Sequence, residues 1–239
     1  MAPISKAQIK LIRSLQHKKF RDELGLFVAE GHKCIEELKK GYELVIEATS
    51  ANSTPTEIVQ MSGLKTPQGE IAVFKKKTQR TNNLDSSISS LTLVLDGIQD
   101  PGNLGTIIRT CDWFGVRQIV CSPDTADCYN PKVVQATMGA LTRVELIYTD
   151  LTAWLTQQQC PIYGTLLDGK DLYEPSSISS QQPAIIIMGN EGNGISQAVR
   201  KLVTHPIRIP SYPPEAETSE SLNVAIATAI VLAEFRRIS

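Results

Sequence analysis

From about residue 90 onward, short aliphatic and β-branched runs alternate with stretches of helical periodicity, and this alternation limits the fold more than any other feature. The runs at 93–95, 118–121, 145–148, 162–166 and 184–188 are short and β-rich, as parallel α/β folds require. Helical candidates lie between and after them, at 104–114, 131–141, 151–158, 196–202 and 222–235. Strand–helix repetition of this kind predicts an α/β fold with a parallel sheet. The last candidate helix, Leu222 to Phe235, is apolar around nearly its whole girth, so it requires burial on several sides, by the fold or by a second subunit.

The earlier part reads differently. A polar stretch poor in large apolar residues runs from about 75 to 92 and has the composition of a linker. It divides the chain into a first domain at 1–85, a linker at 86–92 and a second domain at 93–239. The first domain holds a candidate helix at 5–19, a Glu-rich helical stretch from Gly31 to Lys40, and apolar runs at 44–48 and 71–74, which suggests a small α/β module. Ser5 and Gln8 have the spacing of a capping box at the start of the first helix.

Charge is divided along the same line. The net charge of −1 is the sum of +4 over residues 1–92 and −5 over the remainder. Lys6, Lys10, Arg13, Lys18, Lys19 and Arg21 all precede the first acid, Asp22. Such a stripe fits a solvated helix face or a surface for a polyanion, and spacing does not choose between them.

With 41% hydrophobic and 21% charged residues, the composition is that of an ordered globular protein. No apolar run approaches the roughly 20 residues of a membrane span, and no apolar signal segment follows Met1, so a cytoplasmic protein is expected. The five cysteines (Cys34, Cys111, Cys121, Cys128 and Cys160) are scattered and form no Cys-x-x-Cys pair, so neither a disulfide framework nor a metal site is expected.

Three loops carry chemically telling residues. In the first, Leu95-Asp96-Gly97-Ile98-Gln99-Asp100-Pro101-Gly102-Asn103-Leu104-Gly105-Thr106-Ile107-Ile108-Arg109, a strand enters a Pro-Gly turn and Asn103 can cap the following helix. Arg109 stands among Ile107, Ile108 and Trp113, where a buried guanidinium needs an acceptor. The second, Met188-Gly189-Asn190-Glu191-Gly192-Asn193-Gly194, ends an all-apolar strand in three glycines, as a tight turn or a ligand loop does. Its Gly-x-x-Gly-x-Gly spacing is not the dinucleotide fingerprint, and no Gly-Lys-Ser/Thr follows, so a phosphate cradle and a nucleotide-dependent oxidoreductase are disfavoured. Glu191 tilts the loop toward a ligand. In the third, Ile209-Pro210 is followed by Ser221-Leu222-Asn223; Ser219 or Ser221 reads as a helix cap, and the Asn223 amide needs partners inside an apolar first turn.

Taken together the three blocks, in this order, resemble the SpoU (TrmH-like) family of RNA ribose 2'-O-methyltransferases of the SPOUT superfamily, over roughly residues 90–239. The stretch Tyr129 to Ala140 is similar to the family segment between the first two blocks, and Phe27-Val28-Ala29-Glu30-Gly31 is similar to the small L30e-like RNA-binding domain many members carry. The resemblance implies a trefoil-knotted C-terminal domain that uses S-adenosylmethionine, acts on rRNA or tRNA, and assembles as a homodimer. It implies cofactor contacts at Gly189, Ile209, Leu222, Leu166 and Gly194, mainly through backbone groups, and a polar catalytic set of Asn103, Arg109, Glu191, Ser221 and Asn223. Lys6, Lys10, Arg13, Lys18, Lys19 and Arg21 become the expected RNA contacts. The segment 211–218 is longer and more acidic than is usual for the family.

The family mechanism casts Arg109 as the group that activates the hydroxyl. A guanidinium, with a pKa above about 12, is a poor base. Its expected task is therefore to stabilise a developing oxyanion and orient a phosphate, held in place by Glu191 and Asn103, while Ser221 and Asn223 bond substrate or fix Arg109. The competing expectation is a knotted RNA-binding protein without catalysis; the complete polar set argues against it.

Overall fold

A computed structural model describes residues 2–77, 91–179, 183–213 and 221–238. Along the chain the elements are α1 (Lys6–Ser14), α2 (Lys18–Leu24), β1 (Leu26–Glu30), α3 (His32–Lys39), β2 (Leu44–Ala48), α4 (Pro55–Met61), β3 (Ile71–Lys75), β4 (Leu91–Asp96), α5 (Pro101–Trp113), β5 (Gln118–Cys121), α6 (Pro131–Thr137), a 3₁₀ turn at Ala140–Thr142, β6 (Glu145–Tyr148), α7 (Leu151–Leu155), β7 (Ile162–Asp171), β8 (Ala184–Gly189), α8 (Gln197–Arg200), β9 (His205–Arg208) and α9 (Val224–Arg237). They form two compact units, one of residues 1–79 with 127–143 and one of 80–126 with 144–239.

In the first unit, β1, β3 and β2 make an antiparallel sheet in the order β1-β3-β2. Side chains alternate across it as strand geometry dictates. Val28, Ile71 and Val73 meet Ile12, Leu15, Ile58 and Met61 on one side. Phe27 and Phe74 stack on the other at 5.7 Å, with Tyr129 4.8 Å from Phe27. The Ser5–Gln8 capping box forms, as read from the sequence, but the single helix expected at 5–19 breaks into α1 and α2 around Leu15–His17.

The segment 127–143 was expected inside the second domain, yet it packs with the first unit. Its placement has a clear physical cause. Arg21 is 2% exposed and pairs with Asp127 at 2.7 Å, while donating to the carbonyls of Leu15 (2.9 Å) and Gln16 (3.0 Å). α6 covers β1, and Gly139, at φ +88°, lies so close to Glu37 that a Cβ would collide with that side chain. Arg21 is thus a correction to the expected RNA-binding set, since its donors are spent inside the unit. Of the expected linker 86–92, residues 86–90 lie outside the described residues and 91–92 begin β4.

The second unit is a six-stranded sheet in the order β6-β5-β4-β8-β7-β9, parallel at every pairing. Both faces are covered. Val94, Ile185 and Ile187 pack against Trp154, Leu155 and Val199 of α7 and α8. α9 packs beside α5 and against β8, with Val231, Leu232 and Phe235 buried and Phe235 edge-on to Tyr163 at 4.9 Å. Each such buried side chain contributes about 1.5–3 kcal/mol relative to exposure. Sequence order reverses on either side of β4, with β5 and β6 on one side and β8, β7 and β9 on the other. In parallel α/β sheets the crevice beyond the strand ends at such a reversal is where ligands sit.

The cysteines are not joined in disulfides, and burial pushes the Cys34 thiol up to about 11. No helix among the described residues is long and apolar enough to cross a membrane.

Removing one partner of a buried ion pair leaves the other charge uncompensated, at about 3–5 kcal/mol. Arg21→Ala is therefore expected to lower the unfolding free energy by about that amount in urea denaturation followed by circular dichroism. A change below about 1 kcal/mol would show that the Arg21–Asp127 pair does not hold 127–143 in place.

Candidate active site

The carboxyl ends of β4 and β8 are adjacent, with Asp96 paired to Gly189. From β4 the chain turns at Gly97 (φ +76°) and enters α5. The cap of α5 is Asp100, whose side chain accepts from the Asn103 amide at 2.8 Å. Asn103 is not the cap expected from the sequence, and its side chain is released from that duty. Its Nδ2 donates to Glu191 Oε1 at 2.6 Å, 88 residues away in the chain.

At the start of α9 the cap is Asn223, not Ser219, which lies outside the described residues, nor Ser221. Asn223 Oδ1 accepts from the amides of Ala225 (3.0 Å) and Ile226 (3.3 Å), so its Nδ2 is left to donate. It donates to Asn103 Oδ1 at 2.9 Å. The direction of the whole chain follows: backbone amides fix the Asn223 amide, Asn223 fixes Asn103, and Asn103 presents its NH₂ to an acceptor that Glu191 supplies as a carboxylate. The three blocks singled out in the sequence thereby meet in one hydrogen-bonded line.

The glycine loop explains its composition. Gly189 is pressed against the backbone of Gly194 and Ile195, where any Cβ would lie well inside van der Waals contact. Asn190 and Gly194 exchange two backbone hydrogen bonds, at 3.0 and 2.8 Å, and close the turn. Gly194 has φ +66° and open space over its α-carbon.

The other expected cofactor residues stand within β7, just beyond β9 and just before α9. Leu166 and Ile209 are half-buried, Ile209 just beyond β9, and Leu222 is 49% exposed before α9. Ile207 pairs with both Thr165 and Lys170, so β7 bulges around it at 166–169, and Gly169 sits directly on the Ile207 backbone.

Two members of the expected set stay apart. Arg109 is exposed, on the α5 stripe of Gly102, Thr106, Arg109 and Trp113, and has no hydrogen bond or ion pair among the described residues. The expectation that Glu191 and Asn103 orient it is corrected: those two are committed to each other. Ser221 is exposed and makes no hydrogen bond among the described residues. In the first unit Lys6, Lys10, Arg13, Lys18 and Lys19 are exposed, with Lys19 3.9 Å from Glu23. Sequence reading missed Asp96, Asp100 and Asn190; for Asp100 and Asn190 the signal was an Asp or Asn two or three residues before the backbone amide it accepts from, whereas the partner of Asp96 is 100 residues away and left no local signal.

Residues 90–233 match the model of the SpoU rRNA Methylase family, and residues 6–83 match an MRM3-like substrate binding domain. This chain belongs to the SpoU rRNA methylase family. Among its relatives is the 23S rRNA (guanosine(2553)-2'-O)-methyltransferase RlmP of Bacillus subtilis, 28% identical over 248 residues that cover 96% of each chain. A TrmH-family protein of known structure from Porphyromonas gingivalis superposes over 100% of both chains with a TM-score of 0.86 and 40% identity. An AdoMet-bound rRNA methyltransferase from Sinorhizobium meliloti superposes over 99% of this chain and 97% of its own with a TM-score of 0.86 and 28% identity. The parallel six-stranded sheet of this SpoU protein and its small domain with an antiparallel sheet match the SPOUT methyltransferase architecture expected from the three blocks.

Proposed function

We propose that this SpoU protein transfers a methyl group from S-adenosylmethionine to a ribose 2'-hydroxyl of structured RNA, ribosomal or transfer. The observation that carries the reading is the line Asn223–Asn103–Glu191, which joins three distant loops beyond the ends of β4 and β8. The names of its relatives support the reaction, and the AdoMet-bound relative supports the cofactor.

The residues present fit that cofactor. The Gly194 α-carbon faces open space, Gly189 packs against the Gly194 backbone, and Leu166, Ile209 and Leu222 are each partly uncovered. When bound, S-adenosylmethionine supplies an electrophilic methyl carbon. The protein's own part is then to hold the ribose oxygen in line with that carbon and to accommodate charge on it, a task in which orientation alone lowers the barrier by several kcal/mol. Asn103, held from both sides, is a fixed polar group. Arg109 offers five donors uncommitted within the described chain, for an RNA phosphate and the developing oxyanion, while the hydroxyl proton leaves to water. Ser221 is assigned to the substrate.

Arg109→Lys keeps the charge and loses the planar fork. Turnover is expected to fall by about 100-fold, the scale of losing one oxyanion donor, with S-adenosylmethionine affinity unchanged by calorimetry. Wild-type turnover in this variant would remove Arg109 from the transition state.

The exposed basic residues of the first unit are assigned to RNA phosphates, and the reaction to the cytoplasm, where such RNA is made and used. Because 127–143 packs with this unit, charge reversal tests it better than truncation. Lys10→Glu with Arg13→Glu is expected to weaken RNA binding and to flatten the slope of log K against log salt by about 0.7–0.9 for each phosphate no longer neutralised. An unchanged slope would place the RNA elsewhere.

A homodimer is inferred through the faces of α5 and α9 that the second unit leaves open. Trp113 at the end of α5 is 85% exposed and Ile226 at the start of α9 is 53% exposed, large apolar side chains that a second subunit would cover. Sedimentation is expected to show a dimer that Ile226→Asp converts to monomer; a monomeric wild-type chain refutes this. The knot implied by the family is inferred too, supported by the double pairing of Ile207 and the backbone contacts at Gly169 and Gly189.

A further inference from the structure

The loop that carries Glu191 is fastened at both ends by two side chains outside the family's polar set. At its entry, Asn190 Nδ2 donates to the Gly97 carbonyl at 2.7 Å, tying the loop to the turn after β4. The same amide's Oδ1 accepts from Gly192 (2.9 Å) and Asn193 (3.1 Å), which curls the residues on either side of Glu191 into one shape. At its exit, the Ser196 amide donates to Asp96 Oδ2 at 2.8 Å. Ser196 is the cap residue of α8, and a carboxylate from the end of β4 holds its backbone N–H. Asp96 is itself paired with Gly189, where the loop begins. Entry and exit are therefore anchored to two consecutive residues, Asp96 and Gly97, and Glu191 is left to reach out of the closed frame to Asn103.

We propose that Asp96 and Asn190 are positioning residues for the methyl transfer, a two-point latch that sets where the Glu191 carboxylate stands and so aligns the line through Asn103 to Asn223. Neither touches the reacting atoms in this role, which rests on the methyl-transfer reading. The chemistry selects the residue types. Asn190 must offer an acceptor to two amides and a donor to a carbonyl at once, which an amide does and a carboxylate does not. Asp96 needs only an acceptor, so asparagine can serve in its place.

The test is a mutant cycle on the full-length protein, read by single-turnover methyl transfer to ribosomal RNA and by calorimetric titration with S-adenosylmethionine, with melting followed by circular dichroism. Asn190→Asp keeps the turn bonds and loses the strap to Gly97; turnover is expected to fall at least tenfold. If Asn190 acts through Glu191, the double variant Asn190→Asp with Glu191→Gln loses no more than twofold beyond Glu191→Gln alone. Asp96→Ala is expected to lose at least tenfold, and Asp96→Asn to stay within threefold of wild type. Losses that multiply in the double variant, or an Asn190→Asp enzyme within twofold of wild type, overturn the latch. So does an Asp96→Asn enzyme as impaired as Asp96→Ala. Should Asp96→Ala fail to fold, the Asn190–Glu191 cycle decides alone. Wild-type protein that transfers no methyl group overturns the functional reading itself, an outcome distinct from a fully active Asn190→Asp variant.

Discussion

Two backbone amides at the start of α9 determine the geometry of the site. By donating to Asn223 Oδ1 they remove the ambiguity of an amide side chain, and each later bond in the line inherits its direction. Had Asn223 been free to flip, Asn103 could present either its oxygen or its nitrogen to Glu191, and a carboxylate accepts only the nitrogen. A helix cap, ordinarily a stability device, here fixes which way polar groups 120 and 88 residues apart must face. The charge-assisted bond at the far end, at 2.6 Å, is the strong link of the line.

The parallel sheet makes that line possible by bringing several strand ends to one edge. β4, β8, β7 and β9 run side by side in the same direction, so the segments that follow them emerge together. Close backbone contacts at Gly189 and Gly169 then let these segments lie against one another without side chains between them. The result is a site built mostly of backbone and amide groups, with no strong base in it. Such a site suits a reaction whose electrophile is already activated and whose main demand is alignment.

Much of this was legible in the sequence, and the failures have specific causes. The strands β5 at Gln118–Cys121 and β6 at Glu145–Tyr148 were legible to the residue, each a β-branched or aliphatic run opened by one polar residue. β9 was missed as a strand, since its exposed His205 and Pro206 break the apolar pattern at an edge where Pro is tolerated. The polar contacts of the site were half-legible. Asn103, Glu191 and Asn223 announce themselves as groups needing partners, but which Asx residue caps which helix depends on φ and ψ at one position, so Asp100 and Asn223 took the caps assigned to Asn103 and the serines. Unit membership of 127–143 could not be read at all, because periodicity states that Val133 and Val134 need burial without saying against what.

Arg109 contrasts with the rest of the set. Asn103, Glu191 and Asn223 are ordered before any ligand arrives, whereas the guanidinium stands on the open stripe of α5 without a partner among the described residues. Ordering a long flexible side chain costs up to about 2 kcal/mol of rotamer entropy, which must be offset by the contacts it makes when substrate binds. In the proposed reading, Arg109 takes its orientation from the bound RNA. On that reading, preorganised amides and a substrate-ordered cation divide the work: the first would set where the methyl acceptor lies, and the second would respond only when an RNA with its sugar and phosphate is bound.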